Sequence, residues 1–312
     1  MTSPEVRLPI KINVNMLTTD HVFGGGVRAF VDAARMIEDA GIDGIVMPDH
    51  VVFGSNVTYP FGGWALDSSA SWPEPMAVLS AIAGATRRVD LVTNVIIAPL
   101  RSAALLAKQA ATLFGLSEGR FQLGVGAGWQ RQEYDASGVK FAGRSDALFD
   151  QMKACRALWH QRPASYHSQR TAFDDIWCVP GLPGEAANSP LKLWFGVAPS
   201  PANARFFAEF GGGWSCIYPD PKAIAEGRAA LQAALFKQFG IERRIPVRAA
   251  PPIQFDASGA PDLARTIDSL HLSIEAGATE FDFPLMFYVS ERNQFDGFLR
   301  ALNDVVRDYS AK

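Results

Sequence analysis

One alternation governs what this chain can fold into: a short apolar segment followed by an amphipathic one, repeated eight times. Alternating strands and helices bury their apolar faces together only around a parallel sheet with helices outside it. The strands read as Ile10 to Asn15, Gly44 to Met47, Val89 to Ile97, Phe121 to Val125, Lys192 to Gly196, Trp214 to Ile217, Val247 to Gln254 and Phe281 to Leu285. Helices are expected at Arg28 to Ala40, Pro75 to Ala85, Ala103 to Phe114, Ser145 to Trp159, Pro201 to Phe210, Pro221 to Phe239, Leu263 to Ala276 and Gln294 to Tyr309. Phe30, Ala33, Ala34 and Ile37 form one face of the first helix, and Gly41 follows as a left-handed stop. Eight units predict an α/β fold, a (β/α)8 TIM barrel, as one domain over residues 1–312; an open doubly wound sheet usually has fewer strands.

Two connections exceed the usual ~2 to 6 residues of such units, one after strand two and one before strand five. Val51 to Glu74 carries Phe53, Tyr59, Phe61, Trp64 and Trp72, and Gln161 to Pro190 carries Tyr166, Phe173 and Trp177. Both are expected to wall or cover a pocket for an apolar or aromatic substrate, although aromatics also simply tether long loops.

Catalytic groups of such barrels lie at the C-terminal ends of strands, and four places there carry polar or permissive residues. Met47-Pro48-Asp49-His50 ends strand two in a carboxylate and an imidazole, a candidate proton donor or equally a loop-capping pair. Thr93 and Asn94 interrupt an otherwise apolar strand, so they meet a ligand, a backbone irregularity or each other. Gly124-Val-Gly126-Ala127-Gly128-Trp129 offers either close approach to a ring or phosphate, or merely tight packing. It is not a dinucleotide fingerprint, because its third glycine comes too early. Gly196-Val197-Ala198-Pro199-Ser200-Pro201 ends a strand and opens a helix, which suits a phosphate or an ordinary helix start. Glu133, Arg144 and Asp146 read as an orienting ion-pair network, His21 as a residue within reach of the mouth, and His160, His167 and His271 as surface residues.

Together these segments resemble the luciferase-like monooxygenase family, particularly its branch dependent on the deazaflavin coenzyme F420. The most specific stretch is Asn94 to Trp159, with its Leu-Ser-Glu-Gly-Arg turn and its Gly-Trp followed by an acidic residue. "GIDGIVMPDH" at Gly41 to His50 and "FGVAPSPANARFFAEFGGGW" at Phe195 to Trp214 support it. The resemblance implies a cofactor ring in the barrel mouth flanked by Asp49 and His50. It makes Asn94-Val95, after Thr93, a non-proline cis peptide against which the ring packs. It puts the ribityl chain and phosphate at Gly126 to Gly128 and Gly196 to Ser200. Phe53, Trp64, Trp72, Trp129 and Trp177 would line the substrate pocket. Two departures stand out. Trp129 occupies a place where some family dehydrogenases carry a glutamate acid, and Gly211-Gly-Gly-Trp214 replaces the more usual Gly-Asp-Gly-Trp.

The implied activity is hydride transfer between F420 and a small organic substrate, with His50 as proton donor or cofactor-orienting residue. FMN in place of F420 would make the reaction a monooxygenation, and a flavin-binding protein without turnover is the non-enzymatic alternative. An aldolase or isomerase is disfavoured, since no lysine ends a strand. The net charge of −3 and pI of about 6.0 argue against nucleic acid and an anionic membrane surface. Cys155, Cys178 and Cys216 lack metal-ligand or CxxC spacing, the opening residues lack a signal pattern, and no metal is implied. A cytoplasmic homodimer acting on a small molecule is expected.

Overall fold

The computed structural model describes residues 9–55, 57, 71–217 and 219–310. Among them eight parallel strands close into a barrel in chain order: β1 (Lys11–Asn15), β2 (Gly44–Met47), β3 (Asp90–Ile97), β4 (Phe121–Gly126), β5 (Lys192–Gly196), β6 (Gly213–Cys216), β7 (Val247–Ala249) and β8 (Ala278–Pro284). β8 returns to β1, pairing Glu280 with Lys11 and Pro284 with Asn15. The outer layer comprises α1 (Arg28–Asp39), α2 (Pro75–Ala85), α3 (Ala103–Leu116), α4 (Arg144–His160), α5 (Ala204–Phe210), α6 (Pro221–Phe239), α7 (Leu263–Asp268), α8 (Leu270–Glu275) and α9 (Phe295–Ser310).

The helix starts follow local chemistry. Pro75 opens α2 while the Glu74 carboxylate accepts the Ala77 N–H at 2.7 Å; Ser102 caps α3 through Leu105 N–H; Asp220 caps α6 through Ala223 N–H. Phe30, Ala33, Ala34 and Ile37 of α1 are buried as their spacing predicts, and Gly41 turns the chain at φ +77°.

Four expectations change. The strand expected to run on to Gln254 ends at Ala249, and Gln254–Phe255 pairs instead with Pro261–Asp262 in a small antiparallel hairpin. The helix expected over Leu263 to Ala276 is divided at Ser269. The helix expected from Pro201 begins as a 3-10 turn, Pro201–Asn203, before the seven residues of α5. The long segment before β5 holds a hairpin, Ala164–His167 with Ala172–Ile176, laid along the outside of α4, where Tyr166 Oη and Ser168 Oγ donate to the Asp150 carboxylate.

The barrel interior contains a charged layer among its apolar ones. Arg248 of β7 is wholly buried, donates to Asp282 Oδ1 at 2.5 Å and pairs with Glu280, and its guanidinium lies 4.7 Å from the Trp194 ring. Gln122 joins the layer by donating to Asp90 Oδ2 at 2.8 Å and accepting from Trp194 Nε1, and Lys11 pairs with Asp90. Burial pushes the Asp282 and Glu280 carboxyls above their ordinary range, against the opposing pull of Arg248. Buried ions of this kind persist only when paired and hydrogen-bonded.

Candidate active site

Above that layer β3 breaks its register with β4. Thr93 faces Leu123 and Ile96 faces Val125, so two residues of β3, Asn94 and Val95, oppose Gly124 alone. The peptide between Asn94 and Val95 is cis, as the family resemblance implied. Thr93 Oγ1 bridges the gap, accepting the Gly124 N–H and donating to the Gly124 carbonyl, each at 3.0 Å. Asn94 is held at both ends of its amide, its Nδ2 donating to Asp282 Oδ2 at 2.8 Å and its Oδ1 accepting from Ser215 Oγ at 2.6 Å. Thr93 and Asn94 therefore spend their side chains on the bulge.

The neighbouring glycines are explained by the same bulge. A Cβ at Gly124 would lie 2.0 Å from the Thr93 carbonyl oxygen; at Gly126 and Gly196 it would lie 2.6 Å and 3.0 Å from the methyls of Val95. Gly128, at φ +64°, would press Ile97 at 2.7 Å. At these positions the Cβ sides of Gly126 and Gly196 are filled by Val95. Ala127 presents its carbonyl to Tyr134 Oη at 2.5 Å, and the carbonyls of Val197 and Ala198 accept from Trp214 Nε1 and Asn203 Nδ2. Pro199 packs towards α6, 3.2 Å from a Cβ at Gly227, and Ser200 makes no side-chain cap. Because α5 is short and preceded by a 3-10 turn, the helix dipole expected at Ser200 is displaced to Asn203.

Asp49 and His50, adjacent at the end of β2, have opposite uses. Asp49 accepts from both terminal nitrogens of Arg101, at 2.6 and 3.0 Å, and from the Ile97 N–H at 2.8 Å. With its lone pairs spent on Arg101 and β3, Asp49 positions the mouth and is not placed to exchange a proton. Its bonds go to Arg101 and Ile97, and none among the described residues goes to His50. His50 instead meets Glu133, whose Oε2 lies 3.1 Å from its Nδ1 while Oε1 accepts the Val51 N–H at 2.6 Å. Glu133 is completely buried and the His50 side chain is only 5% exposed. Nδ1 is therefore the imidazole nitrogen bonded to Glu133, and Nε2 is the nitrogen on the other side of the ring.

Around this pair stand aromatic rings. Trp72, Phe53 and Trp129 meet the imidazole edge-on with centroids at 4.6, 5.0 and 5.7 Å, and Phe53 stacks parallel to Trp72 at 5.8 Å. Among the described residues Trp72 Nε1 and Gln130 Nε2 are buried donors without an acceptor, and Asp20 Oδ1, after β1, is a buried acceptor without a donor. Unmatched buried donors beside an imidazole suit a heterocycle rich in carbonyl acceptors, which a flavin or deazaflavin ring is.

Trp64, Tyr59 and Phe61 lie outside the described residues. Trp177 is 65% exposed beyond the hairpin, which is held to the outer helices by Tyr166 on α4 and by Lys108 of α3 on the Val179 carbonyl. It does not join the mouth cluster, whose rings among the described residues come from the loop after β2 (Phe53 and Trp72) and from Trp129 after β4. His21 is exposed. The expected Glu133, Arg144 and Asp146 network is dissolved: Arg144 donates to the Gly128 carbonyl at 3.0 Å and Asp146 pairs with Arg205. Glu133 was nevertheless legible as the acidic residue after Gly-Trp, and Asp282 as a lone carboxylate in the apolar run Phe281 to Leu285.

The family model for luciferase-like monooxygenases matches residues 11–267. The chain belongs to that family. An F420-dependent glucose-6-phosphate dehydrogenase of Nocardia farcinica is 29% identical over 255 residues, covering 77% of this chain and 68% of the dehydrogenase. An uncharacterised Mycobacterium tuberculosis protein is 30% identical over 187 residues, covering 58% of this chain and 65% of its own length. Among solved structures, an F420-dependent secondary alcohol dehydrogenase with an F420-acetone adduct superposes with a TM-score of 0.74 at 16% identity, over 97% of this chain and 99% of that one. The FMN-bound oxygenating constituent of 3,6-diketocamphane monooxygenase from Pseudomonas putida superposes with a TM-score of 0.68 at 14% identity, over 96% and 98%. The two structures share the barrel architecture with this chain.

Proposed function

We propose that this chain is an oxidoreductase transferring hydride between F420 and a small apolar or aromatic organic substrate. The observation that carries the reading is the buried His50–Glu133 pair inside a wall of Phe53, Trp72 and Trp129, beside the bulge at Asn94–Val95. The relative of 29% identity whose name specifies F420 favours that cofactor over FMN.

The bound cofactor would supply the carbon that gives or takes hydride. Val95 and its supporting glycines would form the surface under the ring, and Trp72 Nε1 and Gln130 Nε2 would donate to the ring's carbonyl edge. His50 Nε2 exchanges the proton that balances hydride transfer at the substrate oxygen or carbon. Glu133 holds the imidazole in the required tautomer and stabilises it when charged. The aromatic rings keep water from the reacting atoms and present an apolar face to the substrate. Asp49 keeps Arg101 and the end of β3 in place.

Equilibrium titration with F420 and with FMN, each oxidised and reduced and followed by fluorescence or absorbance, tests the reading. Micromolar or tighter binding with preference for F420 is expected. Preference for reduced FMN would move the assignment to a monooxygenase, and binding of neither would overturn the cofactor assignment.

A further inference from the structure

Outside the barrel, where the first turns of α4 meet the tip of the Ala164–Ile176 hairpin and the start of α5, lies a cleft of about 290 Å³. Three cations line it: Lys153 of α4, Arg170 of the hairpin turn and Arg205 of α5. Its two carboxylates are already satisfied. Asp146 accepts from Arg205 at 2.7 Å, and Asp150 accepts from Tyr166 Oη at 2.7 Å and Ser168 Oγ at 3.0 Å. Among the described residues Lys153 and Arg170 have no ion-pair partner, and Arg205 Nε is a buried donor without an acceptor. The Phe149 ring forms an apolar floor, with the Arg205 guanidinium 4.6 Å and the Lys153 ammonium 5.9 Å from its centroid. Cations gathered on an aromatic floor, in excess of the carboxylates beside them, are arranged for an anion.

The place of the cleft says which anion. Arg170 reaches back to the turn before α4, where a Cβ on Gly143 would lie 3.1 Å from its guanidinium. The next residue, Arg144, donates to the carbonyl of Gly128, two residues beyond β4, and α5 follows the Gly196 to Ser200 loop. The cleft is therefore immediately outboard of the two loops that would carry the cofactor's ribityl chain and phosphate. FMN ends at its phosphate; F420 continues beyond it into a chain of carboxylates.

We infer that the Lys153–Arg170–Arg205 cleft binds the carboxylate tail of F420 and so selects the deazaflavin coenzyme over FMN. The inference rests on the cofactor reading above and adds the residues that discriminate between its two candidates. Each exposed cation contributes modestly, so Lys153→Gln and Arg170→Gln should each weaken F420 binding about threefold, and the pair about tenfold. High salt should produce a similar loss in the wild type.

The test is fluorescence titration of wild type and the double variant with three probes: F420, FMN, and the ribityl deazaflavin that lacks phosphate and tail. A loss confined to F420 is the expected result. Unchanged F420 binding by the double variant would overturn the cleft assignment while leaving the cofactor reading intact. An equal loss for FMN would make the cleft a phosphate site and overturn the tail assignment. Wild-type protein that binds none of the three would overturn the cofactor reading and this inference with it. Among the described residues neither substituted side chain makes a hydrogen bond or ion pair, and the Lys153 contact with the Phe149 ring is weak, so the variants should fold.

Discussion

The barrel floor and the barrel mouth both bury ionisable groups, and they do so to different ends. On the floor Arg248 is enclosed by Glu280, Asp282 and Gln122, with Lys11 and Asp90 alongside, so charge is answered by charge across β1, β3, β4, β7 and β8. At the mouth Asp49 pairs with Arg101, and beside it the His50 imidazole meets Glu133 alone, its other described neighbours being aromatic rings. The floor is neutralised mainly by its own charges, with Arg248 Nε and Asn13 Oδ1 left without partners among the described residues, whereas at the mouth a single imidazole and carboxylate pair inside aromatic rings. Asn94 and Asp282 join the two, because the amide that fixes the bulge hangs from a carboxylate of the floor.

The difference is open to direct attack. Replacing His50 by Asn, whose amide can still donate to Glu133, should lower turnover about 10² to 10⁴-fold at a stability cost of at most about 1–3 kcal/mol, checked by deazaflavin absorbance and calorimetry. A large fall in Tm would return His50 to a structural role. Arg248→Met should do the reverse, leaving two buried carboxylates unpaired at a cost of about 3–5 kcal/mol, read from urea unfolding. Gly126→Ala probes the link between the regions. Its new methyl would crowd Val95, so a loss of about 1–3 kcal/mol is expected together with weaker cofactor binding. Unaltered binding in a destabilised protein would separate the bulge from the ligand site.

The smallest effect concerns the scaffold alone. Burial tends to raise the Glu38 carboxyl, but the N–H groups of Arg88, Arg87 and Val89 outweigh it and hold it below its ordinary value of 4.5. A folded-state value lower than the unfolded one adds stability that is present above pH 4.5 and lost as pH falls through the folded value. Glu38→Gln should therefore flatten the acid limb of the stability curve and leave cofactor affinity at neutral pH unchanged. Acid titration of Tm for both proteins checks this.

Strand and helix positions were largely legible, because short apolar runs alternating with amphipathic ones admit few architectures, and β2, β5, α2 and α6 fall at their expected limits. The site was legible in part. His50 and the Asn94–Val95 irregularity were visible as polar or unusual residues where an apolar strand should end. The glycines of β4 were visible too, but a sequence cannot tell whether a glycine's missing side chain makes room for a ligand or for Val95. Pairings across the barrel were hidden: Asp49 with Arg101 and His50 with Glu133 join residues 52 and 83 positions apart. Trp177 was misplaced because aromatic content does not reveal which side of a helix a loop crosses. The cationic cleft was invisible for the same reason, since Lys153, Arg170 and Arg205 meet only when the hairpin folds onto α4.

The most direct test of the central claim is a crystal structure of the protein with F420 bound. The ring is expected in the barrel mouth, seated on Val95 with the His50 imidazole and the donors of Trp72 and Gln130 turned towards it. A ring bound elsewhere, or held in the mouth with His50 and Glu133 remote from it, would contradict the account.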